Sequence, residues 1–166
     1  MTLVPQEGFD ALEVRKLAAA AGIGRSTFYR HYADKDDFFI NSFAGMVAMF
    51  DAHAREHRAD YLEMLPAREV FAHVEEAREF ALSLASSGQV ARTHAAREDK
   101  LRIIAVENLK RSHAGLPLAR RRELAVMLAG AFAALMRWWT EGGMHKDAAY
   151  VAGLYETLAR RLLAKE

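Results

Sequence analysis

The sequence predicts an all-α protein on three observations. Ala, Leu, Arg and Glu, good helix formers, dominate it. Apolar residues recur at three- and four-residue spacing, and Val, Ile and Thr are too scattered to mark strands. Breaks are expected at Glu7-Gly8, at Gly22-Ile23-Gly24, near Pro66, at Ser86-Ser87-Gly88, at Gly115-Leu116-Pro117 and at Gly142-Gly143, separating about seven or eight helices.

The chain's 166 residues are enough for one compact unit or two small ones, and no long linker or repeat divides them. Two functional halves would therefore share a helix. A formal charge of +1 means that any polyanion must be met by a local patch rather than by global charge. The absence of cysteine excludes disulfides and thiolate metal sites, in keeping with a reducing compartment. Residues 1–20 lack the basic start and apolar run of a signal peptide, and Leu124 to Met136 falls short of the about 20 apolar residues that span a bilayer. A cytoplasmic protein without membrane contact is expected.

From Glu13 to Ala21, Val14, Leu17, Ala18 and Ala21 share one helical face, with Arg15 and Lys16 turned away. Gly22 offers the left-handed backbone that ends a helix, and Gly24 can start the next. In that next helix Phe28 and Tyr32 lie four apart and point inward, which leaves Arg25, Ser26, Thr27, Tyr29, Arg30 and His31 mostly outward. Between Val14 and Lys35 stand five Lys or Arg and one acid, Asp34. A helix docked in the DNA major groove needs such a rim of cations and hydroxyls. A solvated helical hairpin with a local charge excess fits the same residues. Asp34 then reads as the N-cap of a helix over residues 34 to about 57, with Asp37 three positions on as in a capping box.

The stretch GFDALEVRKLAAAAGIGRSTFYRHYADKDDFF resembles the DNA-binding segment of the TetR family of bacterial transcriptional regulators, nearly continuously from Gly8 to Phe39. The resemblance implies that Arg25, Ser26, Thr27, Tyr29, Arg30 and His31 face double-stranded operator DNA from the recognition helix. It further implies that Tyr29 and Lys35 grip phosphates and that Phe28 and Tyr32 are core. Gly24 stands where the family usually has a Ser or Thr cap, and Glu13 where Thr or Ser is usual. Only MTLVPQE precedes Gly8, so at most the last turn of the family's first helix is expected, and with it weaker DNA binding than a longer N-terminus would give.

Leu124 to Met136 carries no charge, and Trp138 and Trp139 extend its apolar surface. Positions 124, 128, 131, 135 and 138 form one stripe and 125, 129, 132, 136 and 139 its neighbour, more than one surface helix buries. The last helix continues the theme with Tyr150, Val151, Leu154, Leu158 and Leu162. With a symmetry mate the pair makes a four-helix bundle, and a buried central helix in a monomer is the alternative. ELAVMLAGAFAALMRWWTEGG also resembles the eighth helix of many TetR regulators, whose last two helices form the dimer interface. The expected homodimer contacts are Leu128, Phe132, Leu135, Met136, Trp139, Leu154 and Leu158.

In that family the region between encloses an inducer. Phe50, His53, Phe71, Phe80 and Trp138 are the candidate ligand contacts, although a stripe of Phe and Met also fits plain core. No Lys or Arg cluster is aimed inward, so the effector is expected to be small and largely apolar. His53, Glu56 and His57 fit H-x-x-E-H, the spacing of an inverted zinc-protease motif, but no third ligand is identifiable among Glu63, Glu69, Glu75 and Glu76. With no phosphate loop, nucleophile elbow or dinucleotide fingerprint either, the expectation is neither enzyme nor metal nor cofactor.

These readings converge on a helix-turn-helix DNA-binding domain over residues 1–47 and a helical effector-binding and dimerisation domain over 48–166. The expected function is a repressor released from DNA by a small molecule. A dimeric helical binding protein that has lost DNA binding is the alternative.

Overall fold

The computed structural model describes residues 13–20, 22–61 and 64–164. Among these, eight helices follow one another and no strand occurs: α1 (Val14–Ala20), α2 (Arg25–His31), α3 (Lys35–His57), α4 (Ala67–Glu76), α5 (Arg78–Ser86), α6 (Gln89–Ser112), α7 (Leu118–Glu141) and α8 (Ala148–Leu163). The break expected at Glu7-Gly8, and any remnant of a helix before it, lie outside the described residues.

Local chemistry sets most of the helix ends. Gly22 at φ +68° terminates α1. The Ile23 amide donates to Ala18 O at 2.9 Å and the Gly22 amide to Ala19 O at 3.0 Å, the bond pair of a Schellman motif. Gly143, at φ +80°, ends α7 in the same way, with Met144 N bonded to Trp139 O at 2.8 Å. At the start of α3 Asp34 accepts from Asp37 N at 2.8 Å, while the Asp37 carboxylate accepts from Ala33 N at 3.0 Å. The reciprocal cap thus reaches one residue further back than a standard capping box. Gly24 caps α2 with no side-chain bond.

Ala77, between α4 and α5, breaks the helices with neither a Gly or Pro signal nor a side-chain cap. The next residue, Arg78, donates to Gly143 O at 2.6 Å and to Met144 O at 2.7 Å, so the bend is fixed by a loop far along the chain.

The main core lies among α3 to α8. Phe71 of α4 packs on Phe132 and Trp139 of α7, at ring separations of 5.2 and 5.6 Å, and Phe132 meets Tyr155 of α8 at 5.3 Å. A second, smaller cluster joins Leu17 of α1 to Leu84 of α5 and Val90 of α6, with Phe38, Phe39 and Phe80 against it. The α1–α2 pair is thereby seated on the rest of the chain. Gln89, at the start of α6, adds a polar tie to the start of α3 by donating to Asp36 Oδ1 at 2.9 Å.

The far end of α3 is held by charge. Asp51, 4% exposed, accepts from Tyr61 Oη at 2.6 Å and Asn108 Nδ2 at 2.7 Å, and pairs with Arg55 and Arg111. Beyond the helix, Arg58 donates to Glu69 of α4 at 2.9 Å and to Glu156 of α8 at 3.1 Å. Burial opposes the Arg58 charge, but its bonds to Glu69, Asp60 and Glu156 outweigh that and raise its pKa. α3, α4 and α8 meet at this one cluster.

The structure corrects the expected dimer face. Leu128, Phe132, Met136 and Trp139 are at most 7% exposed inside a single protomer and cannot meet a second copy. The reason is that α7 is packed against α5, α6 and α8 of its own chain, which takes up both central stripes. Leu135 is partly buried against the same core. Exposed apolar residues remain on α7 at Val126, Met127 and Trp138, and on α8 at Tyr150, Leu154 and Leu158.

Candidate nucleic-acid interface and the chamber behind it

Phe28, 1% exposed, anchors α2. Its ring lies 5.3 Å from Tyr32 and 5.7 Å from Phe38, and Tyr32 meets Phe38 edge-on at 5.1 Å. This three-ring knot fixes which side of a seven-residue helix faces in, a task too large for so short a helix alone. Arg25, Ser26, Tyr29, Arg30 and His31 are consequently exposed, with Thr27 and Lys35 half-buried at the margin. The Tyr29 ring stands edge-on to Phe28 at 5.5 Å, which props its hydroxyl outward. Seven side chains singled out from the sequence therefore form one continuous rim along α2 and the start of α3.

Behind this rim, between α1 and the helices that follow, lies a chamber of about 280 Å³. α1 contributes Leu17, and α3 contributes Phe38, Phe39, Phe43 and Met46. Phe80 and Leu84 of α5, Val90 and Arg97 of α6, and Met136 and Thr140 of α7 close the other sides, with His73 of α4 at the edge. The wall is almost wholly apolar. Thr140 adds little polarity, since its hydroxyl donates to Met136 O at 2.9 Å within its own helix.

Of the five expected ligand contacts, only Phe80 lines this chamber. Phe71 is fully buried in the main core, and Trp138 is 52% exposed on the outer face. Phe50 packs on the His73 ring at 5.4 Å, and exposed His53 stacks on His57 at 4.2 Å. The expected contacts on α3, Phe50 and His53, lie about two turns beyond the chamber, which faces Phe39, Phe43 and Met46 at i, i+4, i+7 spacing. His53 and His57 are one solvent-facing stack, and among the described residues no three His, Asp or Glu are grouped to hold a metal ion.

Two helices joined at a glycine turn, a basic aromatic rim on the second, and an all-helical body behind them define a helix-turn-helix transcriptional regulator. Residues 1–41 match the family model of the bacterial regulatory proteins, tetR family. The match covers 41 of the chain's 166 residues, so its N-terminal segment is similar to the DNA-binding segment of that family. No curated protein matches the chain. No helix among the described residues is long and apolar enough to cross a membrane.

Proposed function

We propose that the chain is a cytoplasmic, homodimeric repressor that a small, mostly apolar effector releases from operator DNA. Residues 1–47 read DNA and residues 48–166 sense and dimerise. The observation that carries this is the chamber itself: Leu17 of the DNA-binding unit and Phe80, Val90 and Met136 of the remainder are walls of one cavity. An occupant would press on both at once. A ligand shifts a conformational equilibrium only through unequal affinity for its two states, and a cavity walled by both units supplies that inequality.

Two subunits would present their α2 helices to successive major grooves, about 34–36 Å apart. Trp138, Tyr150, Leu154 and Leu158, all at least 40% exposed, supply the face on which two copies would meet. Sedimentation of Trp138→Ala should show monomers at concentrations where the unaltered chain is dimeric, with the unfolding midpoint unmoved.

DNA binding is tested by fluorescence anisotropy on a labelled duplex from upstream of the chain's own gene, beside a random duplex, over a salt series. Specific, salt-sensitive binding is expected. Tyr29→Ala and Lys35→Ala should weaken binding to every sequence, Lys35→Ala also lowering the salt slope by about 1, whereas Arg25 and Thr27 variants should change sequence preference. Equal, weak binding to both duplexes would instead identify a helical binding protein without DNA function.

A further inference from the structure

Among the described residues lining the chamber, Arg97 is the only Arg, Lys, Asp or Glu. It occupies a slot in the inward stripe of α6, seven residues after Val90 and four before Leu101, both buried. Phe39 and Phe43 lie 5.3 and 5.1 Å from its guanidinium carbon. One terminal nitrogen donates to Val90 O at 3.3 Å, and Nε is buried with no partner. Burial alone acts on this group, lowering its pKa to about 10, and no carboxylate offsets it. It is still a cation at neutral pH, held against two aromatic faces with a donor to spare.

A guanidinium in an apolar wall is costly unless an acceptor meets it, and its fork of donors matches a carboxylate. Resting on the effector-binding reading above, we propose that the chamber takes an amphipathic monocarboxylate whose acid group bonds to Arg97. Its aliphatic or aromatic body lies against Phe39, Phe80, Leu84 and Met136. The 280 Å³ volume corresponds to about nine waters at roughly 30 Å³ each, so the body is on the order of ten non-hydrogen atoms. This sharpens the expectation of a largely apolar effector: the tail is apolar and the head is not.

The probes are octanoate and 3-phenylpropionate, each beside its alcohol, octan-1-ol and 3-phenylpropan-1-ol, titrated calorimetrically into the full chain at fixed pH and salt. At least one acid should bind about ten- to hundredfold more tightly than its alcohol, the worth of a charged hydrogen bond. In Arg97→Met the acid should fall to the alcohol's affinity, and Arg97→Lys should retain part of the difference. The comparison on the unaltered chain does not depend on either variant folding. Alcohols binding as well as acids, or no binding of either acid, would overturn the proposal. Operator anisotropy on the same samples separates the two readings. Acid binding that leaves DNA affinity unchanged keeps the carboxylate site and refutes ligand-controlled release; DNA release by alcohols as readily as by acids does the reverse.

Discussion

The two ends of α3 handle buried charge in opposite ways. Near its C-terminus the Asp51 carboxylate is met by Tyr61, Asn108, Arg55 and Arg111, and Arg58 is shared between Glu69 and Glu156. Near its N-terminus Arg97 meets two aromatic rings, one backbone carbonyl and an apolar void. A satisfied network resists rearrangement because moving any member strands the others. An unsatisfied group beside empty space can gain by rearranging. The contrast separates the end of the helix that is locked from the end able to respond.

Breaking the locked end should have the largest effect. Asp51→Ala removes the acceptor shared by the buried Asn108 amide and the Tyr61 hydroxyl and is expected to cost about 3 kcal/mol, measured as a fall in unfolding free energy in urea. Tyr61→Phe should cost about 1 kcal/mol at neutral pH, because Asn108 still bonds the same Asp51 oxygen.

That substitution also has a pH signature. Burial first, and the bond to Asp51 second, raise the Tyr61 pKa above its ordinary 10.0, and burial raises that of Tyr155. The folded chain therefore keeps phenolic protons that the unfolded chain releases. Their contribution is intact below about pH 10 and declines above it, by about 1.4 kcal/mol per pH unit for each phenol. Tyr61→Phe should make the alkaline decline of the urea midpoint shallower. The smallest effect is expected at the responsive end. Arg97→Met should leave stability within about 0.5 kcal/mol or raise it, since an unpaired charge is replaced by an apolar chain of similar length. A loss like that of Asp51→Ala would erase the distinction between the two ends.

Legibility in the sequence followed the range of the interactions. The α1 end at Gly22, the Asp34 cap and the inward pair Phe28 and Tyr32 depend on neighbours within four residues, and each was readable. Ala77 was not, because its bend is held by Arg78 bonding to a loop 65 and 66 residues away. The apolar stripes of α7 were visible but not their allocation, since only the packing of α5, α6 and α8 decides which stripe a protomer buries for itself. The position of the chamber was hidden for a related reason: aromatic residues occur along α3, and which turn faces the void is a tertiary fact. Arg97 was readable in principle, as a charge standing in the inward stripe of α6.

The unequal anchoring of α3 also has a mechanical meaning. A 23-residue helix is a rod about 35 Å long, and this one is clamped near one end while the basic aromatic rim rides on the other. Tilting such a rod by about 5° about its clamp sweeps the free end through roughly 3 Å, a magnification of any displacement made closer to the pivot. Phe39, Phe43 and Met46 stand at intermediate points along the rod, so a push of an ångström or so from an occupant of the chamber would arrive at Lys35 enlarged. A clamp at the far end makes α3 a lever, with the void placed at its arm.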